Sequence, residues 1–332
     1  MWGQLSPDGC PEISIKLRST ALLVSKRTDR VSTEMPVSIS MQMVVDRIRF
    51  HVIVEKTLCS YIWSQFKEMA ILSKDIVPQG RIRMWSGKHG QTRLVYQPVK
   101  RRTIAVMGVG TTASKHYYFG LDLFPTRFNL GELDGLKFAL TLVHELVVYE
   151  NLFETANVSY LELAVDSLSF PMGSFLPYFA KSSKSHVHQL SDGTGGIYLG
   201  AEAAKLRFCV YDKARQMWEV QKKESVHKIR TRIEARIHTT GLHAVDFEVA
   251  LPNPFPKLEI ADRSALLGNS HHPKLSDFLK GCQLSGPSTA LNQLGPKDRR
   301  QILQDLRQAR AWWWNPTSCW DSLPKALAVL KP

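Results

Sequence analysis

The feature that most constrains the fold is a set of three segments in which apolar and polar residues alternate: YLELAVD, KLRFCVYDK and KIRTRIEARI. Side chains of a β-strand point alternately to its two faces, so each segment predicts a strand with one apolar and one polar face. In the first segment the leucines and Val165 face a core, whereas Glu162 and Asp166 face away from it. If the three strands pair, their polar faces merge into one charged surface.

The polar faces of the other two segments carry a tyrosine, cations and an acid: Arg207, Cys209, Tyr211, Lys213, Arg230, Arg232, Glu234 and Arg236. Together with the carboxylates of the first segment, these are the groups that phosphoryl transfer uses. A phenol can act as nucleophile, cations stabilise charge on phosphate oxygens, and carboxylates hold a divalent metal. The same pattern also fits a solvated sheet face with cross-strand ion pairs, so both interpretations stay open at this point.

The rest of the chain up to residue 240 predicts an α+β fold. VVDRIRFHVIVE, RIRMW, TRLVYQ and HYYFGLDLF are typical of strands, while LCSYIWSQFKEMAILSK and GELDGLKFALTLVHELVVYEN have the apolar spacing of helices. A second unit repeats this plan with the strand GIYLG and the helix-compatible stretch ARQMWEVQKK. We therefore predict duplicated antiparallel sheet-plus-helix units, over residues 41–152 and 153–240, that form one core over residues 41–240.

Two further regions flank this core. Residues 1–40 mix Pro, Ser, Thr and single charges without lasting periodicity, which predicts a loosely structured lead. Residues 241–332 are rich in Pro, Gly, Ser and His as far as Pro296, and RRQILQDLRQARAWWW then predicts a basic helix. We expect this C-terminal region to serve DNA recognition or assembly.

The charge balance favours nucleic acid as the partner. A formal net charge of +13 attracts a polyanion, and no basic amphipathic helix dominates the chain as membrane binding would require. No apolar run approaches the roughly 20 residues that cross a bilayer.

The five cysteines are scattered and form no C-x-x-C pair, which argues against disulfides or a zinc cage and predicts a cytoplasmic protein. GVGTT and SDGTGG are predicted to be short glycine loops, and they lack the lysine and spacing of a P-loop, so ATP hydrolysis is not expected.

At TGGIYLGAEAAKLRFCVYDKARQ, followed by KIRTRIEARI, the sequence resembles the Rep_trans family, the replication initiators of rolling-circle plasmids and filamentous phages. The family pattern is a strand with Y-F/L-G, a short polar turn, and a strand that ends in Y-x-K. YLELAVD is similar to the family's R-L-D-L-A-x-D strand, and LDLFPTRFN before a helix is similar to its V-E-F-N-P-N-K stretch. The resemblance covers roughly residues 40–240.

This resemblance implies an enzyme that nicks one strand at a replication origin and rejoins it at termination. The tyrosine of the Y-x-K strand, here Tyr211, would attack the scissile phosphate and leave a free 3′-hydroxyl and a 5′-phosphotyrosyl link. Lys213 and Arg232 would assist catalysis, and Mg²⁺ or Mn²⁺ would be held by acids at the matching positions Glu162, Glu234 and Asp166. The partners implied are double-stranded origin DNA, single-stranded DNA and a host helicase, with the protein acting as a monomer or a homodimer.

The remaining cations and several departures complete this prediction. Arg207, Arg230 and Arg236 are expected to contact DNA phosphates. The chain departs from the family pattern at four positions: Tyr160 in place of arginine, Glu162 in place of aspartate, Phe124 in place of the asparagine before proline, and Arg236 in place of an acid.

Strand geometry ranks the three candidate metal ligands. Residues four apart on a regular strand are roughly 13 Å apart at about 3.3 Å per residue. Glu162 and Asp166 therefore cannot both bind one ion without a bulge. Glu162 and Glu234 rank ahead of Asp166, whose alternative role is to orient a cation or bind a water.

Two other motifs and two other functions remain as alternatives. His186-Val187-His188 matches the His-hydrophobe-His metal motif of a different superfamily, but its surroundings are polar and turn-rich, which favours a solvated loop. The tryptophans of residues 312–314 can stack on bases or pack in a core. The main alternative function is a non-catalytic DNA-binding repressor or degenerate initiator. A sheet that binds single-stranded RNA ranks last, because few aromatic residues are displayed on the strands.

Overall fold

A computed structural model describes residues 41–72, 81–86, 92–98, 102–129, 131–190, 193–221 and 231–332. Its described part is a mixed α/β structure with a large antiparallel sheet and several helices. The strands are β1 Met41–Val54, β2 Arg81–Ser86, β3 Thr92–Gln97, β4 Ala105–Thr111, β5 Tyr117–Leu123, β6 Asn157–Ser167, β7 Phe175–Tyr178, β8 Ser185–Leu190, β9 Gly193–Leu199, β10 Leu206–Tyr211, β11 Thr231–His238 and β12 Glu259–Asp262.

The described helices fall mostly after the last strand of the large sheet. They are α1 Lys56–Ile71, α2 Glu132–Thr141, α3 Tyr149–Thr155, α4 Lys213–Gln221, α5 Phe247–Ala250, α6 Arg263–Asn269, α7 Leu275–Ser285, α8 Pro287–Asn292, α9 Pro296–Gln308, α10 Pro316–Trp320 and α11 Leu323–Ala328. None of them is both long and apolar enough to cross a membrane.

The strands of the large sheet run in the order β2-β3-β4-β5-β1-β6-β11-β10-β9-β8, and β7 pairs separately with β12. The two halves of the sheet meet at β1 and β6. In each half the strand that comes first in the chain, β1 or β6, pairs with the strand that comes last, β5 or β11. The helices differ, because α1 follows the first strand of one half and α4 precedes the last strand of the other. The duplication of whole units therefore stays a prediction, while the predicted strands and the helices α1 and α4 are confirmed.

One face of the sheet is covered by the core, as the alternation on β6 requires. Leu161 and Leu163 are fully buried among apolar residues of both halves. Helix α1 covers part of this face because its buried residues recur at helical spacing: Cys59, Ile62, Phe66 and Met69. The opposite face carries the polar side chains of β1, β6, β10 and β11.

The prediction of a single helix over GELDGLKFALTLVHELVVYEN is wrong, because two shorter helices and a 3₁₀ turn occupy this segment. Helix α2 ends at Thr141, His144 is extended, a 3₁₀ turn covers Glu145–Val147, and α3 begins at Tyr149. Tertiary contacts explain the break. The buried Tyr149 packs edge-on against Phe50, and its hydroxyl donates to the Leu330 carbonyl at 2.6 Å. These contacts outweigh a local helix preference that is weak in any case.

Two segments predicted as loops are strands, and residues 193–196 of a third, SDGTGG, begin the strand β9. Residues 108–111 of GVGTT belong to β4 and pair with β5, and Gly108 and Val109 also pair with β3. His186-Val187-His188 lies on the edge strand β8. Glycines and polar residues hide the apolar alternation of a strand, but main-chain hydrogen bonds to neighbouring strands do not depend on it. Local composition therefore gave no signal for these two strands.

The C-terminal region packs through apolar residues, among them two of the three tryptophans in the connection between α9 and α10. Trp313 is 5% exposed and stacks on Phe170 with ring centres 4.3 Å apart. Trp314 is 3% exposed and donates from Nε1 to the Leu258 carbonyl at 3.0 Å. Trp312 is 69% exposed. Of the three, only Trp312 is placed for stacking on a base.

The burial of these side chains predicts opposite effects of two alanine substitutions. Trp313→Ala removes a core side chain and should lower the free energy of unfolding by about 3–5 kcal/mol. Trp312→Ala, its exposed neighbour, should change it by no more than about 0.5 kcal/mol. Urea unfolding of both variants measures the difference. Equal losses in the two variants would contradict the burial of Trp313.

Candidate active site

Strand pairing brings the three alternating segments of the sequence onto one polar surface. β6 pairs with β11 and β11 pairs with β10, all antiparallel. The register sets Tyr211 opposite Arg232 and Arg232 opposite Asp166, while Arg236 lies opposite Glu162. Because paired residues share a face of the sheet, these side chains all project to the same side.

The central strand β1 adds an acid that the three segments do not contain. Its register with β6 shifts between Val45 and Arg47, so Asp46 is the extra residue of a β-bulge. The buried positions change phase there, from Met43 and Val45 before the bulge to Ile48 after it. As a result Asp46 turns towards the polar face. The slip of the apolar alternation in MVVDRIRF was the sequence signal for this bulge.

Three carboxylates meet at this surface. One oxygen from each of Asp46, Glu162 and Glu234 can be chosen so that all three lie within 4.8 Å of one another. Glu234 is 1% exposed and Glu162 8% exposed. Carboxylate oxygens are the ligands that Mg²⁺ and Mn²⁺ prefer, and a cation offsets the repulsion between buried like charges at this spacing. This donor set fits a divalent metal ion.

Asp166 does not join the three carboxylates, because it is bound by an arginine. Arg232 donates from Nε to Oδ1 at 2.6 Å and from Nη2 to Oδ2 at 2.7 Å. The Nη1 atom of Arg232 lies 3.0 Å from Asp46 Oδ1. This arginine therefore links Asp166 to the edge of the carboxylate cluster.

Tyr211 lies against the carboxylate cluster and is itself 6% exposed. Its hydroxyl donates to Glu234 Oε1 at 2.6 Å. Burial and the charge of Glu234 raise the pKa of Tyr211 above its ordinary value. The backbone of Gly196 passes close by, since a Cβ there would lie 3.0 Å from Tyr211 Cβ. The phenol thus has a carboxylate positioned to accept its proton.

Two further cations lie within the site. Arg236 donates from Nε and Nη2 to Glu234 Oε2, at 3.0 and 2.7 Å, and its Nε lies 3.5 Å from Glu162 Oε1. Lys213 begins α4, with Nζ 5.7 Å from the centre of the Tyr211 ring. Burial and the charge of Arg232 lower the pKa of Lys213 below its ordinary value. Among the described residues no carboxylate engages Lys213 at ion-pair distance, and its Nζ donates to Gln216 Oε1 at 3.3 Å.

A second tyrosine repeats the pairing with a glutamate. The hydroxyl of Tyr160 donates to Glu162 Oε1. The guanidinium groups of Arg47 and Arg49 lie 5.2 and 5.7 Å from the centre of the Tyr160 ring. Burial and the charge of Glu162 raise the pKa of Tyr160 above its ordinary value. The site therefore contains two tyrosines that each donate a hydrogen bond to a clustered glutamate, so a substitution of Tyr160 can serve as the control for one of Tyr211.

The remaining residues predicted from the sequence lie apart from the carboxylates. Arg207 places its guanidinium 4.7 Å from the centre of the Tyr198 ring. Arg230 lies outside the described residues. His186 and His188 are exposed on β8, which is separated from β11 by two strands, or about 14 Å in all at the usual spacing. The described residues therefore give no metal site that combines these histidines with the acids.

The like charges at the cluster predict how stability responds to pH and Mn²⁺. Burial and the charge of Glu234 raise the pKa of Glu162 above its ordinary value, so the folded protein favours the protonated form. This contribution to stability is present at low pH and is lost as pH rises through the raised pKa. A bound cation would take the place of the proton above that pH. We expect Mn²⁺ to raise Tm more at pH 8 than at about pH 5, as scanning fluorimetry would show.

A matched variant separates this effect from general changes with pH. Burial raises the pKa of Asp46, but the charge of Arg232 and the hydrogen bond from Thr126 outweigh it and leave a lowered pKa. Asp46 therefore titrates below the ordinary range and does not explain a change above about pH 4.5. Glu162→Gln should reduce the difference between the two pH values. An undiminished difference in this variant would assign the effect to other groups.

Fold and site together define a mixed α/β protein with a large antiparallel sheet and a buried cluster of carboxylates, arginines and tyrosines on one face. No protein-family model and no curated protein matches the chain. It is similar to a solved rolling circle replication initiator protein from Geobacillus stearothermophilus, at 14% identity and a TM-score of 0.38, over 74% of this chain and 98% of that one. It is also similar to DynU16, from the dynemicin biosynthetic locus, at 10% identity and a TM-score of 0.17, over 60% of this chain and 88% of that one.

Proposed function

We propose that the protein initiates rolling-circle replication by nicking one strand of origin DNA, with Tyr211 as the nucleophile. The observation that carries this proposal is the hydrogen bond from the Tyr211 hydroxyl to Glu234 within the carboxylate cluster. The resemblance of the Y-x-K strand to the Rep_trans family supports the same assignment.

The chemistry starts at the oxygen of the phenol. Tyr211 Oη attacks the scissile phosphorus as its proton passes to Glu234 Oε1, and the bond from phosphorus to the 3′ oxygen breaks. The 3′ oxygen takes a proton from Lys213, whose lowered pKa favours this donation. The products are a free 3′-hydroxyl and a 5′-phosphotyrosyl link. Because one phosphodiester replaces another, a later 3′-hydroxyl can attack the link and rejoin the strand.

The arginines hold the acids in place for this reaction. Arg232 fixes Asp166 with two hydrogen bonds, and Arg236 fixes Glu234 with two more. Both hydrogen bonds from Arg236 go to Oε2 of Glu234, which leaves Oε1 directed at Tyr211 to accept its proton. Asp46, Glu162 and Glu234 would hold Mg²⁺ or Mn²⁺, which supplies positive charge for the phosphate oxygens and favours the ionised phenol.

The partners proposed for this reaction follow from charge and from the motifs described. The net charge of +13 favours binding of double-stranded origin DNA and of the single strand released by nicking. The sequence carries no P-loop, so we assign strand separation to a host helicase. We also propose that the protein acts in the cytoplasm, as a monomer or a homodimer.

The test is covalent capture of DNA. The protein is incubated with labelled supercoiled DNA that carries the origin and with Mn²⁺, then denatured, and the 5′ ends are examined for attached protein. A covalent adduct supports the proposal. Binding without an adduct, on DNA that contains the origin, supports a non-catalytic DNA-binding protein instead.

One observation favours that second candidate function. Tyr211 is nearly buried, and its pKa lies above the ordinary value. A repressor that uses the same basic sheet would keep this phenol as a packed, hydrogen-bonded residue. In that case Mn²⁺ would stabilise the protein without any adduct forming.

If Arg207 contacts DNA phosphates, replacing it should change the salt dependence of DNA binding. The side chain of Arg207 is half-buried, and among the described residues no carboxylate engages it at ion-pair distance, so its charge can be shared with a phosphate. Arg207→Ala should weaken DNA binding about equally for all sequences and reduce the slope of log K against log [salt] by about 1. Fluorescence anisotropy at several salt concentrations measures both.

Lys325→Ala is the matched control, because Lys325 lies on α11, outside the strands that form the polar face. It should leave the slope unchanged. An unchanged slope in Arg207→Ala would place the DNA elsewhere.

A further inference from the structure

A cavity of about 240 Å³ opens on the polar face of the sheet, on the side of β1 away from Tyr211. Its lining includes two arginines, one carboxylate, two rings and bare backbone: Arg49, Arg93, Asp122, His51, Tyr118, Gly108 and Gly120. Pockets for drug-sized molecules are larger, at about 300–1,000 Å³. The size therefore suits one small planar group.

The walls of this cavity are planar and held in position. The rings of His51 and Tyr118 are stacked, with centres 5.0 Å apart and an angle of 26° between planes. The guanidinium of Arg49 donates to both oxygens of Asp122, at 2.7 and 3.0 Å, and keeps 42% of its side chain exposed. Burial and the charge of Arg49 lower the pKa of His51, which favours the neutral imidazole. Neutral rings beside fixed guanidinium planes are surfaces on which a nucleobase stacks.

The floor consists of two glycines that face each other across β4 and β5. Neither Gly108 nor Gly120 has a positive φ. A Cβ on either would meet its nearest neighbour at 3.6 Å, which is ordinary contact. The fold would therefore accept alanine at both positions, and glycine costs stability in a strand. Two glycines at this place leave room for a group that approaches the backbone.

Arg49 connects the cavity to the candidate site. Arg49 borders the cavity and also lies 5.7 Å from the centre of the Tyr160 ring, which is hydrogen bonded to Glu162. β10 carries Tyr211 and β5 carries Gly120. These two strands are four strand spacings apart in the sheet, or about 19 Å. A few nucleotides of single strand span this distance.

We propose that this cavity binds one base of the single-stranded DNA that flanks the cleaved phosphate. The base stacks on the rings of His51 and Tyr118 over the two glycines, and Arg49 faces the adjoining phosphate. This inference rests on the proposed nicking function, and it adds a subsite that positions the strand next to Tyr211.

The test fills the floor of the cavity and removes its wall. Both changes are made in a Tyr211→Phe background, so that binding is measured without cleavage. The first variant is Gly108→Ala with Gly120→Ala, and the second is Tyr118→Ala. Gly268→Ala is the control, because nothing lies within 4 Å of a Cβ at that position. Scanning fluorimetry should show a Tm for the double alanine variant that is unchanged or raised.

Binding is followed by fluorescence anisotropy with labelled oligodeoxythymidine and with an abasic strand of the same length. The parent protein should bind the strand with bases roughly 10-fold more tightly than the abasic strand, as expected for one stacked base. Both cavity variants should lose this preference, and Gly268→Ala should keep it. Equal affinity of the parent for the two strands, or a full preference in the folded double variant, would overturn the subsite.

Failure of the subsite is distinguishable from failure of nicking. One outcome is that the unsubstituted protein forms the covalent adduct but shows no preference for bases at the cavity. This outcome removes the subsite and leaves the nicking function intact. A preference for bases that depends on the glycines, with no adduct, retains a base-binding cavity on a protein that does not nick.

Discussion

Tyr211→Phe is expected to lower formation of the covalent protein–DNA adduct by at least about 10³-fold. The substitution removes one oxygen and keeps the ring, so the effect is confined to the nucleophile and its hydrogen bond to Glu234. DNA binding should change little, because the cations of the polar face remain. Quantifying protein-linked 5′ ends after denaturation, beside anisotropy with the same DNA, separates the chemical step from binding.

Tyr160→Phe is the matched control for this prediction. Tyr160 also donates to a glutamate of the cluster and is 8% exposed, so the two substitutions remove equivalent atoms from similar surroundings. We expect the adduct to persist in Tyr160→Phe. An adduct that survives in Tyr211→Phe and disappears in Tyr160→Phe would exchange the roles of the two phenols.

The strands β6, β10 and β11 were predictable because a half-buried strand must alternate. Each has its apolar residues on the core side, and their pairing places Tyr211, Glu162 and Glu234 on one surface. The only further assumption was that neighbouring strands pair in register. This part of the site follows from periodicity together with that pairing.

Asp46 was not predicted, because a bulge breaks the rule on which the prediction depended. A regular β1 would send Asp46 to the same face as Ile48, whereas the extra residue places it beside Arg232. The same limit applies to the glycine-rich strand β4 and to the edge strand β8, where pairing with neighbours rather than local pattern determines the structure. Side-chain periodicity thus reports core-facing positions and misses irregular backbone at the site.

Asp46 and Asp166 are expected to respond in opposite ways to removal of their charge. Asp46→Asn removes one of the three clustered carboxylates while Arg232 keeps both hydrogen bonds to Asp166. Stability without metal should therefore change little. The rise in Tm on Mn²⁺ titration should be lost, and nicking should fall by about 10²-fold or more.

Asp166→Asn should destabilise the protein by about 3–5 kcal/mol, because it leaves the buried Arg232 without its bidentate partner. The Mn²⁺-dependent rise in Tm should remain, since the three clustered carboxylates are intact. Urea unfolding and Mn²⁺ titration of both variants make the comparison. If Asp166→Asn abolished the response to Mn²⁺ and Asp46→Asn kept it, the ion would belong to Asp166, and the bulge at Asp46 would lose its proposed role in holding the metal.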